Sequence, residues 1–293
     1  MTTAFDAWRR DGKTYQYCGH NIFYRDQGEG PVLLAIHGFP SASWDFQPIW
    51  SELTARFRVI AADMLGYGWS DKPRPYRYSV VDLASLHRGL LAGLGIERIH
   101  ILAHDVGVSV AAELLARQQR KEDSLTIDSV CFLNGGVFPE THRPLLVQRA
   151  MASRLGPLLA PLMRKRDYAR GMNRVFAKPL SSALIDELWS LLMHQDGRRV
   201  LPNLLGYIAE RRVNRERWVQ PIIHPQVPIR LIDGTCDPVS GKTLVARFRE
   251  LVTNADVVEL PHVGHYPHVE DPAAVLQALF AFHDGRVVAH LTK

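Results

Sequence analysis

Short apolar runs recur along this chain at Val32–Ile36, Arg58–Ala62, Arg98–Ala103, Ser129–Leu133, Ile229–Ile232 and Val257–Leu260. Segments of helical period separate most of them: Ser43–Arg56, Ser79–Gly93, Val106–Arg120, Gly241–Glu250 and Asp271–His283. A strand that is apolar on both faces must be covered on both, and alternating helices provide that cover in βαβ units. The alternation predicts an α/β fold built on one doubly wound, mostly parallel sheet. Two alternating segments near Thr14–Cys18 and Asn21–Asp26 predict an opening hairpin.

The alternation stops after Leu133. From Pro139 to Trp218 the chain keeps a helical period, shows no convincing strand, and is broken by Pro144, Pro157, Pro161, Pro179 and Pro202. This predicts a helical cap over 139–218, inserted between core segments 1–138 and 219–293. The cap would sit above the C-terminal strand ends, where open α/β sheets place ligands. Formal net charge is +5, and the cap carries 15 Lys+Arg against 7 Asp+Glu, leaving 20 against 23 elsewhere. Arg164-Lys165-Arg166 and Arg211-Arg212 belong to this excess, which reads as solvated helix faces, with contact to anionic lipid, nucleic acid or an acidic substrate as the alternative; no nucleic-acid motif accompanies it. With 46% hydrophobic residues the chain has ample core, and no apolar run approaches membrane-spanning length. The first residues hold no apolar signal core. Cys18, Cys131 and Cys236 fit no zinc spacing and read as thiols in a reducing compartment. The expectation is a cytoplasmic monomer or homodimer without an integral membrane segment.

The stretch Ala103-His104-Asp105-Val106-Gly107 joins a buried strand to a helix and has small residues two positions either side of an aspartate. A strand–turn–helix of this kind lifts one side chain above the sheet and needs that small flanking pair. A serine there would need a base to attack. Aspartate is ionised at neutral pH and attacks unaided. Its attack on an ester would give a high-energy anhydride, whereas attack on an sp3 carbon bearing a leaving group gives a stable alkyl ester. The plain alternative is a helix N-cap.

Other pieces follow predicted strands at the same edge. After the first central strand, His37-Gly38-Phe39-Pro40 supplies a glycine turn. That turn lets the Phe39 N–H join the Val106 N–H as an oxyanion hole. Asp237, in Asp233-Gly234-Thr235-Cys236-Asp237-Pro238, is placed to orient a histidine; Asp233 ends its strand and is the weaker choice. In His262-Val263-Gly264-His265-Tyr266-Pro267-His268, His265 follows a glycine and precedes the final helix. Gly264 and Pro267 argue against a helical metal site on the three histidines. The order Asp105, Asp237, His265 is that of a nucleophile–acid–histidine triad.

These residues, with Asp63 and Gly66-Tyr67-Gly68-Trp69-Ser70, resemble the α/β-hydrolase superfamily, in the aspartate-nucleophile branch that holds epoxide hydrolases and haloalkane dehalogenases. The similarity runs from about Gly28 to Phe282 and includes the cap. It implies the α/β-hydrolase fold, no cofactor or metal, and a small apolar-to-amphipathic substrate. Dehalogenases of this branch typically hold the halide with indole or amide N–H groups; here those positions are Val106 and Phe39, which offer none. Epoxide hydrolases use cap tyrosines as ring-opening acids, which the resemblance matches to Tyr207, in Leu205-Gly206-Tyr207-Ile208, and more loosely to Tyr168. The implied activity is epoxide hydrolysis to a vicinal diol through an alkyl ester on Asp105. The alternatives are a dehalogenase with a relocated halide site, and a non-catalytic ligand-binding or signalling protein on the same frame.

Overall fold

The computed structural model describes residues 3–291, with side chains as far as Gly285. The strands are β1 Lys13–Tyr17, β2 His20–Gln27, β3 Val32–Ile36, β4 Arg58–Ala62, β5 Arg98–His104, β6 Thr126–Leu133, β7 Ile229–Gly234 and β8 Asp256–Leu260. They form one sheet in the order β1-β2-β4-β3-β5-β6-β7-β8. The hairpin strands β1 and β2 pair antiparallel, and β2 runs antiparallel to β4. All the remaining pairs are parallel. The apolar runs of β3, β4, β5, β6 and β7 became inner strands because both their faces are covered, while the Val257–Leu260 run became the edge strand β8, which is mostly half-buried. Leu34, Ile36, Ile101 and Ala103 join one buried cluster, while Leu33, Ala35 and Leu102 join the other.

Register decides where the loops emerge. Ile36 pairs with Ala103, His104 with Leu133, and Leu133 with Ile232. The C-terminal ends of β3, β5, β6 and β7 therefore lie side by side, and the segments carrying Phe39, Asp105, Asn134 and Asp237 leave the sheet at one edge.

Between β6 and β7 the described residues form helices and no strand. This is the inserted helical cap. Its longer helices are Lys165–Asn173, Ser182–Met193, Tyr207–Val213 and Arg215–Ile223. Pro157 and Pro202 sit in the first turn of the short helices Gly156–Leu159 and Leu201–Leu204, where a missing N–H costs nothing. The helical segment predicted over Ser43–Arg56 is split. A tight helix at Ser43–Ile49 contains Pro48 and gives way to an α-helix at Trp50–Thr54. A helix at Ala4–Arg10 was not expected; Thr3 and Asp6 cap it, and Trp8 is buried edge-on against Trp44 and Trp50.

Candidate active site

The turn after β5 holds Asp105 at φ 47° and ψ −109°. A non-glycine residue there carries backbone strain, of order 1–3 kcal/mol, that the surroundings must sustain. They do so by close packing. A Cβ on Gly107 would lie 2.4 Å from the Ile36 carbonyl oxygen, and one on Gly38 would lie 2.7 Å from the Asp105 Cβ. Ala103 is fully buried. Gly107 is thus required by the Ile36 and His37 carbonyls at the end of β3, and Gly38 of the following loop by the Asp105 side chain.

That loop is fixed by His37, whose Nε2 accepts from Met64 N–H at 2.9 Å while Nδ1 meets the Gly38 carbonyl at 2.8 Å. Burial pulls the imidazole down to about 4, so it stays neutral. The loop brings Phe39 N–H to Asp105 Oδ2 at 2.9 Å. Val106 opens the helix Val106–Gln119 directly after the turn. One oxygen of the carboxylate is therefore held by a backbone donor. The other, Oδ1, lies 3.9 Å from His265 Nε2 and 3.8 Å from Arg211 Nη2.

His265 follows β8 and points its Nδ1 at Asp237 Oδ2, 2.7 Å away. Asp237 also accepts from Ser240 Oγ at 2.7 Å, Val239 N–H at 2.7 Å and Asn134 Nδ2 at 3.0 Å. Burial alone would raise the Asp237 carboxyl, but His265 and these donors outweigh it and bring it down to about 2. Burial alone would depress His265; Asp237 and Asp105 outweigh that and lift it to about 9. Asp105 stays below the usual carboxylate range, because His265, Arg211, His104 and the Phe39 N–H offset its desolvation. Asp233, the weaker choice, is buried with neither oxygen partnered, and burial beside Asp237 lifts it to about 9. It is a neutral acid in the strand.

A cavity of about 90 Å³ opens on Asp105 and His265. Its wall includes Phe39, Leu145, Met151, Met163, Tyr168, Met172 and Leu205. Tyr168 is in this wall; Tyr207 is not. Tyr207 lines a smaller void with Tyr67 and Val106, lies 6.1 Å ring to ring from Phe39, and stacks under the Arg211 guanidinium at 4.6 Å. Both tyrosine hydroxyls are buried without a hydrogen-bond partner. No tryptophan is in the cavity wall, and the Trp44 indole is engaged by Glu187 at 3.2 Å.

Two residues of the site were not singled out from sequence. Arg211 is buried on the cap helix Tyr207–Val213, and donates to the Asp105 carbonyl at 3.0 Å and to Ser109 Oγ at 2.7 Å. In the sequence it is one more arginine of a basic stretch. The signal that could have found it is Gly135-Gly136: a Cβ on Gly136 would lie 2.2 Å from Arg211 Nη1. Asn134, at the end of β6, braces the acid loop by accepting from Gly234 N–H at 2.7 Å while donating to Asp237. His104 also holds the loop that carries His265, with Nε2 2.8 Å from the His265 carbonyl. Behind it His268 and Asp45 complete a buried cluster. His262 is exposed and apart from it.

The model of the Alpha/beta hydrolase family matches residues 32–278. The chain belongs to that family. Among curated proteins, this hydrolase-family chain is 41% identical over 297 residues to the mouse (Mus musculus) mesoderm-specific transcript protein, covering 96% of this chain and 88% of that one. It is 36% identical over 274 residues to the putative hydrolase LipZ of Mycobacterium tuberculosis, covering 92% and 95%. Among solved structures, haloalkane dehalogenase DbeA from Bradyrhizobium elkanii superposes with a TM-score of 0.80 at 20% identity, covering 95% and 99%. At that identity the likeness speaks for the fold alone.

Proposed function

We propose that this chain hydrolyses epoxides to vicinal diols, with Asp105 as nucleophile. The observation that carries the reading is the division of labour between the two carboxylate oxygens. Oδ2 is occupied by the Phe39 N–H at 2.9 Å, which leaves Oδ1, on the His265 side, to attack. Attack of Oδ1 on an epoxide carbon forms the C–O bond of an alkyl ester and breaks the ring C–O bond. The ring oxygen takes a proton from a cavity-wall hydroxyl. Tyr168 is the proposed donor because it lines the cavity; Tyr207, the leading choice from sequence, lines a separate smaller void, and its hydroxyl, equally unpartnered, feels the Asp105 charge.

Esterification then prepares the next step. It removes the negative charge of Asp105, one of the carboxylates holding His265 up near 9, so the imidazole falls towards neutrality. Neutral His265, oriented by Asp237, takes a proton from water, and the water oxygen attacks Cγ of Asp105. The oxyanion forms on Oδ2, already seated at Phe39 N–H and beside Val106 at the helix start. Loss of one such donor typically costs about 10²–10³ in rate. The intermediate collapses as its ester C–O bond breaks, the leaving diol oxygen takes the proton of the added hydroxyl, the carboxylate is restored, and the Tyr168 phenolate has regained its proton from the one His265 sheds on esterification.

The haloalkane reading is the less favoured one, because a departing halide needs convergent N–H donors and the wall holds no indole among the described residues, only the side-chain amide of Gln148. The test is to incubate the His265→Gln protein with styrene oxide, and separately with a short bromoalkane, and measure intact mass. The reading expects one epoxide added to the Asp105 peptide and no release of bromide. An unmodified protein across a broad epoxide panel overturns it.

A further inference from the structure

The cap segment that walls the cavity has a second, outward face. Of the large apolar side chains exposed among the described residues, Leu146, Leu155, Leu158, Leu159 and Leu162 all fall in this one segment, with Leu146, Leu158 and Leu162 at least 70% exposed. The helices Leu146–Met151, Gly156–Leu159 and Ala160–Leu162 pack on one another in succession. Their inner side supplies Val147, Met151 and, just beyond, Met163 to the cavity wall. Exposed leucines in such number on a surface are the mark of an interaction site rather than of chance.

Charge narrows the partner. Between Leu145 and Arg170 the chain carries Arg149, Arg154, Arg164, Lys165, Arg166 and Arg170 against the single carboxylate Asp167. All six cations are exposed. Lys165 pairs with Asp186, and Arg166 and Arg170 lie 3.8 and 3.5 Å from Asp167. Arg149, Arg154 and Arg164 have no ion-pair partner among the described residues. Leucines bordered by unpaired arginines suit a surface with anionic headgroups above an apolar layer. Shallow insertion and charge attraction together give stable binding where either alone is marginal. No helix among the described residues is long and apolar enough to cross a membrane, so the contact is at the interface.

We infer that the Leu146–Leu162 face of the cap docks on anionic phospholipid bilayers, with the same segment forming the wall of the Asp105 cavity behind it. Substrate then enters from the lipid phase, and this last point rests on the proposed function. Docking itself does not, so the two fail separately: a soluble epoxide still marks Asp105 in a protein that binds no vesicles.

The test is co-sedimentation of the full chain with phosphatidylcholine vesicles, with and without phosphatidylglycerol, at low and high salt. Wild type is expected to bind the phosphatidylglycerol vesicles and to be released by salt. Leu158→Ser/Leu162→Ser and Arg154→Gln/Arg164→Gln/Arg166→Gln alter only exposed side chains. Each should reduce binding at least tenfold, with circular dichroism and alkylation by soluble epoxide unchanged. Equal binding to both vesicle types, no binding by wild type, or leucine variants that bind as wild type would each overturn the inference. So would a dimer in solution that the leucine substitutions dissociate, since a second copy would then cover the face.

Discussion

Asp105 is useful because its two oxygens have different neighbours, and two residues decide how that difference is exploited. Arg211 lies 3.8 Å from Oδ1 and helps hold the carboxyl in its ionised form. Arg211→Gln should therefore raise the Asp105 pKa and move the acid limb of the alkylation rate to higher pH, read from adduct formation in a His265→Gln background. An unmoved limb would show that Arg211 only braces the Asp105 carbonyl. Tyr168→Phe should slow alkylation by about 10²-fold, the usual scale of a lost general acid, while Tyr207→Phe changes it little. The reverse ranking would return the role to Tyr207. At this scale the sequence was informative where chemistry constrains the backbone. Asp105, Asp237 and His265 each follow a strand at a turn marked by small residues, and the structure brings their side chains together. Arg211 was hidden because a buried cap arginine looks like an exposed one until the elbow it reaches is folded.

The elements are tied together through the helix Val106–Gln119 that follows Asp105. Glu113 on Val106–Gln119 is buried and accepts from Arg117 at 2.8 Å, from Arg217 at 2.7 Å and from the Trp218 indole at 2.8 Å. Two of these donors lie on Arg215–Ile223, the helix that returns the chain from cap to sheet. Burial would raise the carboxyl, but Arg217, Arg117 and Trp218 outweigh it and hold it low. Glu113→Ala strands these donors and should cost about 2–4 kcal/mol, measured by urea unfolding. A loss below about 0.5 kcal/mol would mean the cap is held by apolar packing alone. Gly107→Ala puts a Cβ 2.4 Å from a backbone oxygen that cannot swing away. It should abolish alkylation and destabilise the fold by about 1–3 kcal/mol. Strand positions were legible because runs buried on both faces have few other solutions. The cap is less so: its prolines announced interruptions but not where each short helix would lie.

Across the whole molecule, the paired side chains of Asp237 and His265 couple stability to pH. His265 is held up near 9 in the folded chain against 6.5 as the ordinary value. Its contribution is fully present below about 6.5 and is lost as pH rises through about 9. Asp237 runs the other way, contributing above its ordinary value and losing that contribution as pH falls through about 2. Thermal denaturation should show Tm falling from about pH 6.5 to 9, with His265→Gln removing most of that slope. An unchanged slope would place the alkaline loss elsewhere. The mostly parallel sheet, the opening hairpin and the inserted cap all followed from the spacing of apolar runs, whereas the strand order did not. The cavity did not, since its wall is assembled from cap helices whose facing sides no local pattern announces. The whole account depends on the Asp105 carboxylate attacking carbon. It is tested most directly by a single turnover of excess wild-type protein with styrene oxide in heavy-oxygen water, followed by mass analysis of peptides and diol. The account predicts one heavy oxygen in the Asp105 peptide and none in the first diol released; heavy oxygen in the diol with an unlabelled Asp105 would contradict it.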